Sequence, residues 1–481
     1  MTGGHVVVVG GGLAGITAAT ALADAGARVT LLESRPRLGG AASSYPRGPL
    51  IVDNGQHVFL RCCESYQQLL ARLGMTDSVT VQDRFDITVL APDGPARLRR
   101  GALPSPLHLA GALARYRLLS LPDRARVARA ALALQRADPA RPELDTIRLG
   151  DFLAARGQST RARRMLWDLF VVSALNIAGD EASVPLAAKV VRTGLLGGRA
   201  AADIGMARVP LGTLHDTAAR ALLTRLGVEV RLRARAAAVE SLPGGGYAIR
   251  LSQADSGEPG QPGQADLGGG PASPAGPLLA DGVVLAVPPG QAARLGSTAG
   301  LAAAASWDAL GYSPIVNVHV VYEHPVMQLP FAAAVESPVQ WVFDKTRQAG
   351  LSSGQYLAIS LSAADEYIDM PTAALRELFG PALERLFPAA SGTVIRDFFV
   401  TRERRATFRQ APGCAGLRPG AATPAPGLVL AGAWTDTGWP DTMEGAVQSG
   451  HNAASQLIRG LTGVDQVRPA AAPEPAGRGA L

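Results

Sequence analysis

Residues 5–33 hold the first chemistry that residue type and spacing suggest. Gly10-Gly11-Gly12-Leu13-Ala14-Gly15 follows the valine-rich stretch His5–Val9, and Glu33 stands 21 residues after Gly12. Such a glycine turn lets bare backbone approach a pyrophosphate. Gly10 permits the sharp turn, Gly12 the close approach, and Gly15 the packing of a helix against a strand. A helix starting there offers free N–H groups and a partial positive charge to phosphate oxygens. A carboxylate some twenty residues on can accept ribose hydroxyls, the task this spacing assigns to Glu33. The pattern predicts a dinucleotide site.

The elements needed to hold that site can be read around it. Uninterrupted β-branched residues make His5–Val9 a buried strand, and an alanine-rich helix runs on to about Ala25, where Gly26 stops it. Ala27 to Glu33 is a second strand. Leu211 to Leu226 reads as an amphipathic helix with Leu211, Leu214, Ala218 and Leu222 on its apolar face, followed by a strand at Val228–Leu232. Tyr247–Leu251 and Asp281–Val287 read as further strands. Near the far end, the apolar strand Gly427–Gly432 leads through the loop Ala433–Pro440 into a helix opening at Asp441 and ending near Leu461.

Composition bounds the rest. With 481 residues, 47% hydrophobic and 18% charged, the chain can bury a large core and is neither disordered nor fibrous. Glycine (55) and proline (35) are in excess, partly because Ser252–Pro277 and the C-terminal end are rich in both. The first reads as a flexible loop and residues 465–481 as a disordered tail. The net charge of +6 is carried almost wholly by arginine, since Lys189 and Lys345 are the only lysines. No basic run interleaved with aromatic residues points to nucleic acid, and no cysteine–histidine spacing points to a metal. Three cysteines make no disulfide framework. The start of the chain does not read as a signal peptide, and no apolar run is long enough to span a membrane. A cytoplasmic protein is expected.

Arg35-Pro36-Arg37-Leu38-Gly39-Gly40-Ala41, directly after the second strand, resembles the extended flavin motif of the FAD-dependent amine oxidase and phytoene desaturase superfamily. The resemblance implies an α/β, two-lobed (α+β) fold with noncovalent FAD. A Rossmann-like FAD lobe would be assembled from residues 1–80, 205–290 and 425–462. A substrate lobe of mixed sheet and helices would come from 81–204 and 291–424. It further implies that Gly10, Gly12, Leu13, Ala14, Gly15, Glu33, Ser34, Arg35, Gly39, Gly40 and Ala41 meet the dinucleotide, with Val230 over the adenine. Gly55, Gln56 and His57 would lie beside the isoalloxazine. Gly432, Thr442, Met443 and Glu444 would close the site; relatives often place an acid where this chain has Ala433, so a hydrogen bond to the phosphoribityl chain is either missing or supplied by Asp436.

Asp53-Asn54-Gly55-Gln56-His57-Val58-Phe59, Ser173-Ala174-Leu175-Asn176, Trp341–Asp344, Arg418-Pro419 and Trp434–Pro440 together resemble the hydroxysqualene dehydroxylases within that superfamily. That likeness implies a long apolar isoprenoid substrate and loss of an allylic hydroxyl with hydride delivery from reduced flavin. It does not identify the electron donor. The acid that would protonate the hydroxyl is sought among His57 and Asp53, with Asp436, Asp441 and Glu444 in the closing loop. On this reading His57 is oriented by a neighbouring carboxylate. Each also has a plainer role: a loop anchor for Asp53, a core histidine for His57, a helix-dipole acid for Glu444. Cys414 lacks the surroundings of a flavinylated cysteine, and Lys345 reads as a surface lysine. Carotenoid or phytoene desaturation is the nearest rival reading. A noncatalytic carrier of prenyl chains is the rival from another class.

Ten arginines lie between Arg97 and Arg141, interleaved with leucine and alanine, against Asp123 and Asp138. They form either a pair of ordinary surface helices or a face that rests on an anionic membrane, such as the inner face of the cell membrane.

Overall fold

The computed structural model describes residues 3–139, 141–252 and 276–462. The loop and tail expected at 252–277 and 465–481 fall almost wholly outside the described residues.

Five parallel strands form the cofactor-side sheet: β1 (His5–Val9), β2 (Arg28–Leu32), β3 (Glu229–Arg231), β4 (Gly282–Leu285) and β5 (Leu428–Leu430). Their order is β3-β2-β1-β4-β5, so the sheet collects strands from both ends and the middle of the chain. Val6 to Val8 are fully buried, as a parallel strand covered on both faces requires. Helix α1 (Leu13–Asp24) follows β1, and helix α2 (Met443–Thr462) follows β5. The two helices meet where Gly450 faces Ala14. A Cβ there would stand 2.4 Å from the Ala14 carbonyl oxygen.

A seven-stranded mixed sheet forms the second lobe. Its order is Ile395–Phe408, Tyr312–Tyr322, Gln355–Leu361, Trp341–Asp344, Phe331–Ala334, Asp86–Leu90 and Ala96–Arg99. Helices between Ala110 and Lys189 pack beside it around Trp167, Leu134 and Val184. The molecule is therefore a two-lobed α/β structure. Among the described residues no helix is long and apolar enough to cross a membrane. Arg97 and Arg99 stand on a strand rather than a helix and pair with Asp86, while Arg100 pairs with buried Asp203.

Candidate flavin and substrate site

The glycine turn is closed by contacts that other residues would prevent. Gly10 has φ +110°, and a Cβ on Gly15 would stand 1.8 Å from the Gly10 carbonyl oxygen. At Gly12, by contrast, an added Cβ would meet no atom nearer than Gly40 Cα at 3.9 Å. The turn is therefore packed from below and open above, on the side where a phosphate would approach. Leu13 and Ala14 are buried in the first turn of α1, which has neither a capping side chain nor an acidic residue. Its free N–H groups suit an anion.

The second glycine pair lies against the first. Gly39 bridges Gly12, its N–H donates to the Gly11 carbonyl at 2.9 Å, and its φ of +99° needs glycine. Glu33 is buried and fixed by the same turn. One carboxylate oxygen accepts the Gly11 N–H at 2.7 Å, and the other accepts the Arg35 N–H and the Ser34 hydroxyl. Two oxygens with spare lone pairs can still take ribose hydroxyls. Arg35 donates to the Gly40 carbonyl at 3.4 Å, and Ala41 accepts from Asn54 Nδ2 at 2.7 Å. Val230 stands on β3 opposite Leu31, at the edge of the sheet.

Asn54 ties three segments together. Its side chain also accepts the Ser43 N–H, while its carbonyl accepts from Asn317 Nδ2 at 3.2 Å and the Thr401 hydroxyl at 3.3 Å. Around this knot several buried polar atoms have no partner: Ser43 Oγ, Gln56 Nε2, Asn317 Oδ1 and, toward the glycine pair, Arg37 Nε. In proteins generally, buried polar groups are paired far more often than not. A chain of unsatisfied donors and acceptors running from a pyrophosphate-type turn fits the ribityl chain and polar ring edge of a flavin dinucleotide.

Asp53 is held by partners on both carboxylate oxygens. Its carboxylate forms an ion pair with Lys345 at 2.9 Å, with side-chain exposures of 2% and 12%. It also accepts from the Ser44 hydroxyl at 2.6 Å and the Leu211 N–H at 3.0 Å. Lys345 is thus largely withdrawn from solvent, not on the surface as expected, because Ala349 and the turn after Asp344 pack onto the strand Leu50–Asp53. His57 is not oriented by a carboxylate. Its Nδ1 faces the Gly55 carbonyl of its own loop at 3.2 Å. Burial pushes its pKa below the ordinary histidine value, and the carbonyl contact and Asp53 offset this only in part. A neutral imidazole results.

His215, which the sequence did not single out, is fully buried between the Ala42 carbonyl at 2.8 Å and the Tyr66 hydroxyl at 2.9 Å. Desolvation lowers it to about 4. The helix carrying it makes one wide turn at Thr213–Thr217, which shifts the inward face by a residue. Ala219 and Leu223 are therefore fully buried where regular spacing had placed Ala218.

The closing loop is organised by Arg418. Its guanidinium is buried and donates to the carbonyls of Ala433, Trp434, Thr435 and Trp439, at 2.5–3.2 Å. Gly432 has φ +140°, and a Cβ there would stand 2.4 Å from Trp434 Nε1. Asp436 is exposed and accepts the N–H of Gly438, so the structure keeps it on its own turn. Thr442 caps α2 by accepting the Gly445 N–H, and Met443 packs on the core beneath the parallel sheet. Glu444 is more than a dipole acid. Buried, it accepts the N–H groups of Ser65 and Tyr66 at 3.1 and 2.8 Å and so caps the neighbouring helix Glu64–Arg72. Asp441 accepts the Phe408 N–H through one oxygen, and desolvation raises its pKa to about 6.

In the second lobe, a cavity of about 200 Å³ is lined only by apolar residues, among them Phe85, Leu113, Leu132, Trp167, Phe170 and Leu195. Phe170 lies on the helix Asp168–Leu175, whose terminal Asn176 donates to the Ser313 carbonyl. Ser313 is the second residue of the strand that carries Asn317 to the flavin-side knot. Cys414 is buried with a thiol pKa pushed up to about 11, chiefly by desolvation, which does not favour a thiolate.

A glycine-turn dinucleotide lobe joined to an apolar lobe defines a flavin-dependent oxidoreductase. The sequence model described as flavin containing amine oxidoreductase matches residues 13–458, and the chain belongs to that family, with FAD as its cofactor. The chain is 31% identical to a hydroxysqualene dehydroxylase of Rhodopseudomonas palustris over 94% of this chain and 98% of the relative. It is 30% identical, over the same shares, to another of that name from Sinorhizobium fredii. A zeta-carotene desaturase of Zea mays is 25% identical over 94% of this chain and 83% of its own. Cyclohexylamine oxidase from Brevibacterium oxydans shares the fold, with TM-score 0.68 and 18% identity over 95% of this chain and 99% of that one.

Proposed function

We propose that the protein removes the hydroxyl of hydroxysqualene reductively, giving squalene and water. The observation that carries this reading is the likeness to hydroxysqualene dehydroxylases across nearly the whole of both chains, substrate lobe included. The all-apolar cavity supports it, because a long hydrocarbon needs a wall without unsatisfied polar groups. The overall change consumes the allylic alcohol, one proton and one hydride equivalent, and releases water. Bound FAD, in its reduced state, supplies the hydride equivalent.

The chain's own residues bind, orient and exclude water. Gly10, Gly12, Gly15, Gly39 and Gly40 with Glu33 and Arg37 hold the dinucleotide, and Ser43, Gln56 and Asn317 offer their unpaired polar atoms to the flavin end. Arg418 holds the closing loop still. The proton for the departing hydroxyl is assigned to Asp441. Among the acids considered, Asp53 and Glu444 are engaged through both carboxylate oxygens and Asp436 is exposed, whereas Asp441 is engaged through one. Burial keeps Asp441 protonated in part near neutral pH, whereas it strips the extra proton from His57.

The test is anaerobic incubation of reduced holoenzyme with hydroxysqualene, and of oxidised holoenzyme with phytoene plus an electron acceptor. Squalene from the first and no desaturated product from the second is expected. Desaturation of phytoene without squalene formation would replace this reading with the desaturase one, which the Zea mays relative favours.

A further inference from the structure

Between the strand Ala96–Arg99 and the helix Ala110–Arg115 the chain runs Gly101-Ala102-Leu103-Pro104-Ser105-Pro106-Leu107. Leu103 and Leu107 are 55% and 54% exposed, and Ala102, Pro104 and Pro106 are exposed beside them. Large apolar side chains clustered on one loop are not the scattered exposure of an ordinary surface. The loop is held firmly in this attitude. The Gly101 N–H donates to the His108 carbonyl at 2.7 Å, the Ser105 hydroxyl to the Leu196 carbonyl at 2.6 Å, and Arg199 to the Ala102 carbonyl at 3.2 Å. These bonds fix the loop while Leu103 and Leu107 stand exposed.

Two further features converge on this loop. Leu107, Ala110 and Ala128 line the apolar cavity and are themselves exposed, so the cavity opens beside the loop. Around that mouth stand exposed arginines: Arg199 on the loop's own carbonyl, Arg115 at the end of the helix that supplies Ala110 and Leu113, and Arg129 next to Ala128. An apolar tip with a cationic rim matches the acyl region and headgroups of an anionic bilayer.

We propose that Leu103–Leu107 is a monotopic docking element that enters the surface of an anionic membrane and sets the cavity mouth against the acyl chains. The docking stands on the loop, rim and cavity alone. That an isoprenoid enters by this mouth rests on the proposed function above.

Co-sedimentation of the FAD-loaded protein with phosphatidylcholine vesicles, with and without phosphatidylglycerol, tests the docking. Binding should require the anionic lipid, weaken with salt, and fall about tenfold or more in Leu103→Asp/Leu107→Asp. Arg115→Gln/Arg199→Gln should lose the salt-sensitive part. Unchanged flavin content and melting temperature would show that these variants are folded. Wild-type protein that stays in the supernatant, or a leucine variant that binds as well as wild type, overturns the proposal. So does a leucine variant whose only change is loss of self-association. Turnover separates the two claims. Leu103→Asp alone, which leaves the cavity lining untouched, should keep activity on detergent-dispersed hydroxysqualene and lose it on vesicle-embedded substrate. A wild type inactive on both but bound to vesicles would sink the substrate reading and leave docking standing.

Discussion

Replacing Lys345 with methionine should destabilise the protein by about 3 kcal/mol. The cation is paired with Asp53 at 2.9 Å, and both groups are shielded from water. Removing one partner of a buried pair commonly costs about 3–5 kcal/mol, because the other charge is left without compensation. Here Asp53 keeps the Ser44 hydroxyl and the Leu211 N–H, so the lower end of that range applies. For a chain this long each kcal/mol moves the melting temperature by about 2 °C or less, giving a fall of about 5 °C. Thermal unfolding of the holoenzyme followed by circular dichroism reads this directly. Asp53→Asn in the Lys345→Met background removes the stranded charge and should restore most of the loss, a coupling that a double-mutant cycle isolates. Because Asp53 ends the strand that leads into Asn54–His57, the single variant should also release flavin more readily. A Lys345→Met protein melting within 1 °C of wild type, or a double variant no better than the single, would refute the argument.

Arg418→Met should leave four carbonyls of the closing loop without their donor, and the protein should purify with less flavin per chain, read from the ratio of visible to ultraviolet absorbance. Gly12→Ala and Gly15→Ala should differ in kind. The first meets no protein atom within 3.9 Å and should fold but bind FAD weakly; the second drives a Cβ to 1.8 Å from the Gly10 carbonyl and should fail to fold. If both fold and bind flavin alike, the cradle is misassigned. Asp441 sits at about 6, above its unfolded value of about 3.9, so its ionisation opposes folding and stability falls as pH rises from about 4 to about 6. Asp441→Asn should therefore melt above wild type at pH 8 and match it at pH 4, while turnover at pH 6 drops and flavin stays bound. An unchanged turnover would remove Asp441 from the reaction.

What was legible in the sequence was local. Gly10 to Glu33 and Gly427 to Leu461 announce strand, turn and helix within a few dozen residues, and steric demands at Gly10, Gly15 and Gly432 leave little choice of residue. What was not legible depends on segments far apart in the chain. Lys345 looked like a solvated turn residue until the strand ending at Asp53 was seen to pack over it. Arg418 stood out only as part of the family-like pair Arg418-Pro419; its role was hidden, because four backbone carbonyls leave no pattern in side-chain types. His215 was hidden by one wide helical turn that breaks the regular period. Glu444 was placed in the right turn of the right helix, yet the N–H groups it caps belong to another helix.

The central claim is that a hydride equivalent from reduced FAD replaces the hydroxyl of an apolar allylic alcohol. Reduced holoenzyme equilibrated in deuterium oxide and mixed anaerobically with hydroxysqualene tests it most directly, with the product read by mass spectrometry. The account predicts squalene carrying one deuterium at the former carbinol carbon, formed in proportion to the flavin reoxidised. Unlabelled squalene, or flavin that stays reduced while the substrate is recovered unchanged, would contradict it.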